Sequence, residues 1–300
     1  MNPPTGQPPT FGPGDDAWSS TPRDTPTTGD LATVEPLMQL QGVRFAYQRD
    51  QPVLADLDVT VAPGRLHVVI GPNAAGKSTL LRLMLGQLAP TEGRVLLDGR
   101  PVRRLRARRR AAVLSYVPQR SIVGFAYTVR QMVTMGRFAL PPDRAAINRA
   151  IDRCDLLSIA DRPYHELSVG QQQRVMLARA LAQSAGQGRV MLLDEPTSAM
   201  DPAHVHRVMA ILRELVDGGL AVVAVVHDLN LAARYADDVW LLHDGIFAAT
   251  GPWSDVLTPE VLEPVYDVQL DVLQRLADPG DPLARRPLFD PRLPDTFNAG

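Results

Sequence analysis

Residues 71–79, GPNAAGKST, restrict this chain to few folds, because they follow the apolar run LHVVI and lead into a helical pattern. A buried parallel strand that ends in a glycine-rich loop and continues as a helix aims backbone N–H groups and the positive helix end at one point. An anion belongs there. Gly71 and Gly76 let the backbone approach it closely. Lys77 brings a point charge on a flexible stem, suited to the β- and γ-phosphates of a nucleoside triphosphate, and the Ser78 hydroxyl is a hard oxygen suited to Mg²⁺. Pro72, Asn73, Ala74, Ala75 and Thr79 complete the loop. Ala74 stands where a glycine would be freer, and is expected at negative φ. The loop alone does not separate a kinase, a GTPase, a helicase and a transport ATPase.

A second element, VMLLDEPTSAMD at 190–201, ends an apolar strand in two consecutive carboxylates. In open α/β sheets ligands bind at that strand edge. Asp194 is expected in the Mg²⁺ shell, and Glu195 to align and polarise a water for attack on the γ-phosphorus. A bare Asp-Glu pair is also what a solvated strand end looks like; the phosphate loop is what favours chemistry. The third element is LSVGQQQRVMLARAL at 167–181, where Ser168 precedes a helix with an apolar stripe at Val175, Leu177, Ala180 and Leu181. Its hydroxyl can cap that helix or face an anion. Gly170 leaves the backbone open to a phosphate, and Gln171 closes the LSVGQ run.

These elements resemble the ATP-binding cassette (ABC) ATPases, whose signature is LSGGQ. The resemblance runs through the folded domain in order: Tyr47 matches the aromatic that stacks on adenine, 71–79 the Walker A loop, and Gln119 in SYVPQ the Q-loop glutamine, which implies metal ligation or water contact. LSVGQ matches the signature, LLDEP Walker B, Asp201 in SAMD the D-loop, and His227 in VVHDLN the switch histidine. Tyr47 as a packing tyrosine and His227 as a satisfied strand-end histidine are the competing readings; His165 and His243 match no motif. Val169 replaces the first signature glycine, which is tolerated if that position needs no positive φ. Ser168, Gly170, Gln171 and Glu195 are retained, as in an active subunit.

The resemblance implies an α/β P-loop ABC ATPase fold with a parallel-sheet core, an antiparallel β subdomain and an inserted helical subdomain at about 120–185. It implies a head-to-tail homodimer in which one chain's signature completes the other's ATP site, with ATP and Mg²⁺ as cofactors and separate membrane permease subunits as partners. The segments FAYTVRQMVTMGRFAL (125–140) and TPEVLEPVYDVQLDVL (258–273) look like importers of iron–siderophore, haem and cobalamin, which implies a substrate-binding protein as an indirect partner. The ATPase subunit of an exporter, and a non-transport ABC ATPase acting on nucleic acid, are the alternatives.

Strand patterns at 38–47 and 53–61 fit an antiparallel sheet, and VLLDGRPV signals a hairpin turning at Asp98-Gly99. Helices are expected at 77–87, 128–138, 143–157, 171–183 and 203–217, and strands at 190–193 and 220–226. Residues 1–36 hold eight Pro, seven Thr and four Gly, a composition too poor in apolar residues to offset ordering entropy, and read as a disordered leader. The domain is expected over 37–277, with a Pro-rich tail at 278–300. Seven of residues 100–110 are arginine, which invites nucleic acid. No aromatic stands among them to stack a base, so the run reads as a solvated basic helix and no nucleic-acid partner is expected.

The longest apolar run, LAVVAVV at 220–226, is far short of the roughly 20 residues a membrane helix needs. With no secretory signal pattern and a single cysteine, Cys154, on an amphipathic pattern, the expected place is the cytoplasmic face of the membrane, with a buried thiol.

Overall fold

The alternation in MQLQGVRFAYQ turns Met38, Leu40, Val43 and Phe45 inward and makes β1 (Met38–Gln48), the centre of an antiparallel sheet. The computed structural model describes residues 35–48, 51–121, 123–273 and 286–292; the leader reading at 1–34 and most of the tail lie outside them. β1 pairs with β2 (Gln51–Val61). LHVVI forms β3 (Leu66–Ile70), buried at every residue, and the phosphate loop then leads into α1 (Lys77–Met84). β4 (Glu92–Leu97) joins the other side of β1 and turns at Asp98-Gly99, both at positive φ (51° and 69°), into β5 (Arg100–Pro101). This is the primed turn geometry that matches strand twist.

The arginine-rich run is not one helix. Arg100 lies in β5, Val102–Arg104 form a single 3₁₀ turn, and α2 (Ala107–Val113) begins only after extended Leu105. Pro101 and the burial of Val102 under the hairpin set these breaks. Leu114, directly after α2, opens a strand, β6 (Leu114–Val117).

Three helices follow with no strand between them: α3 (Val129–Met135), α4 (Arg144–Arg153) and α5 (Val169–Ser184). They share a core that includes Val133, Ile151, Val175 and Leu177. Cys154 is enclosed there, and burial pushes its thiol up to about 12. Then come β7 (Val190–Asp194), α6 (Pro202–Asp217), β8 (Ala221–Val225), α7 (Leu229–Tyr235), β9 (Asp238–His243) and β10 (Ile246–Pro252). The chain continues through α8 (Trp253–Val256), α9 (Pro259–Tyr266), β11 (Gln269–Leu273) and β12 (Leu288–Arg292), a strand within the Pro-rich tail that pairs antiparallel with β11.

The main sheet has the order β10-β9-β3-β8-β7-β6, all parallel except β10. It is buried on both faces: along β8, Val222 and Ala224 face the α5–α6 side, whereas Ala221, Val223 and Val225 face α1 and the antiparallel sheet. This order places side by side the loops that leave β3, β8, β7 and β6 at their carboxyl ends. Gly71, His227, Glu195 and Gln119 therefore converge although they span much of the chain.

Candidate active site

The phosphate loop is folded tightly against its neighbours. A Cβ on Gly71 (φ 146°) would lie 2.0 Å from the Leu242 carbonyl oxygen, so only glycine fits. Gly76 (φ 103°) caps α1 in the left-handed region. Ala74 does not take the expected negative φ: it sits at φ 67°. The turn requires a left-handed residue at this point whatever its side chain, and alanine carries a steric cost of roughly 1–2 kcal/mol there.

Lys77 is buried and donates from Nζ to the carbonyl oxygens of Gly71 and Pro72, both at 2.7 Å. Burial lowers its pKa, opposed by the carboxylates of Glu195 and Asp194. Ser78 donates from Oγ to Asp194 Oδ1 at 3.2 Å. Burial also raises the Asp194 pKa, against the Ser78 hydrogen bond that lowers it. Two hard oxygens thus converge, one on a buried carboxylate whose charge nearby Arg82 and Lys77 offset only in part.

Glu195 follows β7 in a left-handed conformation (φ 49°) that swings its side chain back over the sheet edge. There its carboxylate is held from both sides: Gln119 donates from Nε2 to Oε2 at 2.6 Å, and His227 Nε2 lies 2.6 Å from Oε1. A strained backbone at such a point is common where function over-determines geometry. A cavity of about 450 Å³ opens beside this pair, lined in part by Thr197, Met200, Val205, His206 and Leu231.

Tyr47 lies at the end of β1, 56% exposed, its ring edge-on to Phe45 and its hydroxyl 3.3 Å from Thr79 Oγ1. Arg82 reaches the same hydroxyl at 3.5 Å, a neighbour the sequence did not announce. The aromatic face therefore stands beside the first turn of α1, open to a planar ring.

Ser168 caps α5 by accepting from Gln171 N, while Gln171 Oε1 accepts from Ser168 N at 3.0 Å. This reciprocal box fixes the start of the helix at Val169, two residues earlier than the apolar pattern suggests. Val169 is helical, outside the positive-φ residues, and 60% exposed, so its side chain costs the backbone nothing. Gly170 is pressed against the segment after β7, where a Cβ would lie 2.7 Å from the Ala199 carbonyl oxygen.

Asp201 caps α6, accepting from His204 N at 3.0 Å, a bond that holds its carboxyl below the usual range. Gln173, unmarked among three consecutive glutamines, is buried and bonds to Ser198 and Ala199. Helical spacing carried the signal, since Gln173 shares a face with Met176, Leu177 and Ala180.

The nucleotide-loop residues thus lie together with Glu195, Gln119 and His227, whereas Ser168 to Gln171 form a separate exposed helix start.

The ABC transporter family profile matches residues 54–198. The haemin import ATP-binding protein HmuV of Bordetella parapertussis is 41% identical over 240 residues, covering 76% of this chain and 92% of that protein. The cobalamin import ATP-binding protein BtuD of Halobacterium salinarum is 42% identical over 227 residues, 73% of this chain and 56% of that protein. Among solved structures, a transporter assigned to the metal-chelate ABC type, in an inward-facing conformation, superposes with TM-score 0.72 at 29% identity, covering 88% of this chain and all of that one. The dimeric bacterial ABC transporter cassette MJ0796 superposes with TM-score 0.66 at 27% identity, covering 72% and 98%.

Proposed function

The chain belongs to the ABC transporter ATPases, and from that membership we propose that it is the ATP-hydrolysing subunit of an importer for an iron complex, haem or ferric siderophore, or for cobalamin. The observation that carries the hydrolytic part is the Glu195 carboxylate, fixed between Gln119 and His227 at the edge of the sheet that holds the phosphate loop. The cargo class is supported by the names of the haemin and cobalamin import relatives.

ATP lies with its adenine on Tyr47 and its phosphates along the loop of Gly71, Pro72, Asn73, Ala74, Ala75 and Gly76, capped by Lys77, Ser78 and Thr79. Lys77 is pre-positioned by two backbone carbonyls, so its charge reaches the β- and γ-phosphates with little reorganisation. Ser78 and Asp194 would hold Mg²⁺, with Gln119 as a further oxygen donor; hard oxygen ligands and a buried carboxylate fit such a cation, which supplies charge neutralisation to the phosphates. Glu195 orients the attacking water and receives its proton, and His227 holds the carboxylate in place and faces the γ-phosphate.

The exposed start of α5, with Ser168, Val169, Gly170 and Gln171, and the Asp201 turn close over the ATP of a second copy; a head-to-tail homodimer is supported by the dimeric cassette the chain resembles. Among the described residues no helix is long and apolar enough to cross a membrane. In this reading, which the import ATP-binding relatives support, permease subunits supply the pathway and this chain acts from the cytoplasmic face, with a substrate-binding protein delivering cargo outside.

The reading is tested by purifying the chain with its permease in liposomes and measuring ATPase rates with haem, ferric siderophores and cobalamin delivered by the cognate binding protein. Stimulation by one of them is expected. Stimulation only by a drug or lipid, with no binding protein required, would make it an exporter subunit.

A further inference from the structure

Helix α7 begins two residues after His227 and has only seven residues, too few to persist without tertiary support. Its N-terminus is capped by Asp228, whose Oδ1 accepts from Asn230 N at 2.7 Å and Leu231 N at 3.2 Å. Ala232 and Ala233 bury the inner face. Tyr235 adds a hydrogen bond between its hydroxyl and His206 Nδ1 of α6 at 3.0 Å, and further support comes from a segment far along the chain, residues 286–292. Asn230 forms a two-bond clamp with the backbone of Phe289: Nδ2 donates to Phe289 O at 3.1 Å, and Oδ1 accepts from Phe289 N at 2.7 Å.

At the other end of α7, the Arg286 guanidinium donates to Ala233 O at 3.1 Å and Ala236 O at 2.7 Å while stacking 4.2 Å over Trp253. A cation at the last carbonyls of a helix is favoured by its dipole. Phe289 is itself buried, and β12 is tied to β11 by its ladder and by the Arg292–Asp271 ion pair. Both ends of α7 are thus held by one strap, and nothing in ATP binding requires it.

We infer that the segment Arg286–Arg292 is a positioning strap for His227: by clamping Asn230 and capping α7, it fixes the histidine at hydrogen-bonding distance from Glu195. Asn230 and Arg286 are positioning residues that act through His227 and touch no nucleotide. The inference rests on the proposed pairing of His227 with Glu195.

The test uses the full chain, with rates measured well below each variant's melting midpoint. N230A is expected to lower kcat for ATP hydrolysis roughly tenfold while KM for ATP stays within about twofold, because misplacement of a catalytic partner affects the transition state and not ground-state binding. R286A should move kcat in the same direction, and R286K, which keeps a cation at the α7 carbonyls, should fall between R286A and wild type. In a His227→Ala background N230A should cost nothing further, since the residue it positions is gone. A wild-type kcat in both N230A and R286A, or an equal loss with and without His227, overturns the strap. Should N230A fail to fold, the R286A and R286K pair decides by the same double-variant comparison. Wild-type hydrolysis by His227→Ala alone removes the pairing itself, an outcome distinct from loss of the strap.

Discussion

Gln173 and Ser198 tie α5 to the segment after β7: Gln173 Nε2 donates to Ser198 Oγ at 3.0 Å, and its Oε1 accepts from the next amide, Ala199 N, at 3.3 Å. Gln173 sits one turn beyond the exposed start of α5, and Ser198 lies three residues after Glu195. The helix proposed to serve the partner's ATP is thereby stitched to the segment that carries the carboxylate proposed to orient water in this chain's own site. Gln173→Leu would remove both bonds, while Ser198 and Ala199 are exposed residues where water can replace them, and should lower stability by about 0.5–1.5 kcal/mol, read by urea unfolding. It should also reduce the cooperativity of ATP hydrolysis, seen as a Hill coefficient closer to one.

Glu195→Gln keeps the side-chain shape and the strained backbone but removes the charge proposed to receive a proton. Its kcat should fall by at least about 10²-fold with ATP affinity nearly unchanged. Gel filtration with ATP should then show a stable dimer. Undiminished turnover would remove Glu195 from its assigned role.

At Ala74 the loop holds an alanine where backbone geometry asks for glycine. Ala74→Gly should be neutral or stabilising by up to about 1 kcal/mol, the relief of strain being partly offset by the greater freedom of the unfolded chain. Ala74→Val, β-branched at positive φ, should lower the melting temperature and weaken binding of a fluorescent ATP analogue. An Ala74→Gly variant that melts well below wild type would contradict this account.

Acid stability should depend on Asp238, at the start of β9. Burial raises its pKa, but the nearby His67 ring and the Arg65 guanidinium, in a two-bond fork at 2.6 and 2.7 Å, outweigh that and pull it down to about 2. A carboxyl depressed from 3.8 in this way contributes stability that is complete above pH 4 and lost as pH falls toward 2. The contribution is about 2 kcal/mol. Asp238→Asn should flatten the stability profile in that window, and an unchanged slope in urea titrations at pH 4 and pH 2.5 would refute the assignment.

What the sequence disclosed follows the stringency of the chemistry. Phosphate binding needs glycine, lysine and hydroxyl at fixed spacing, so the loop at 71–79 was legible, as were β3, β7 and β8, whose unbroken apolar runs mark strands buried on both faces. The left-handed twist at Ala74 was hidden because alanine carries no turn signal. The division of residues 100–110 into three pieces was masked by uniform arginine, although Pro101 marks its first break. β12 was obscured by its proline-rich surroundings: its attachment depends on Arg286 and Phe289, too few residues to produce a pattern.

Cys154, enclosed between α4 and α5 and held protonated, leaves the described surface silent to maleimides and other thiol reagents. The natural chain can therefore serve directly as a cysteine-free background: a single thiol placed at exposed Val169 would report, by its labelling rate with and without ATP, whether a second copy covers that helix start.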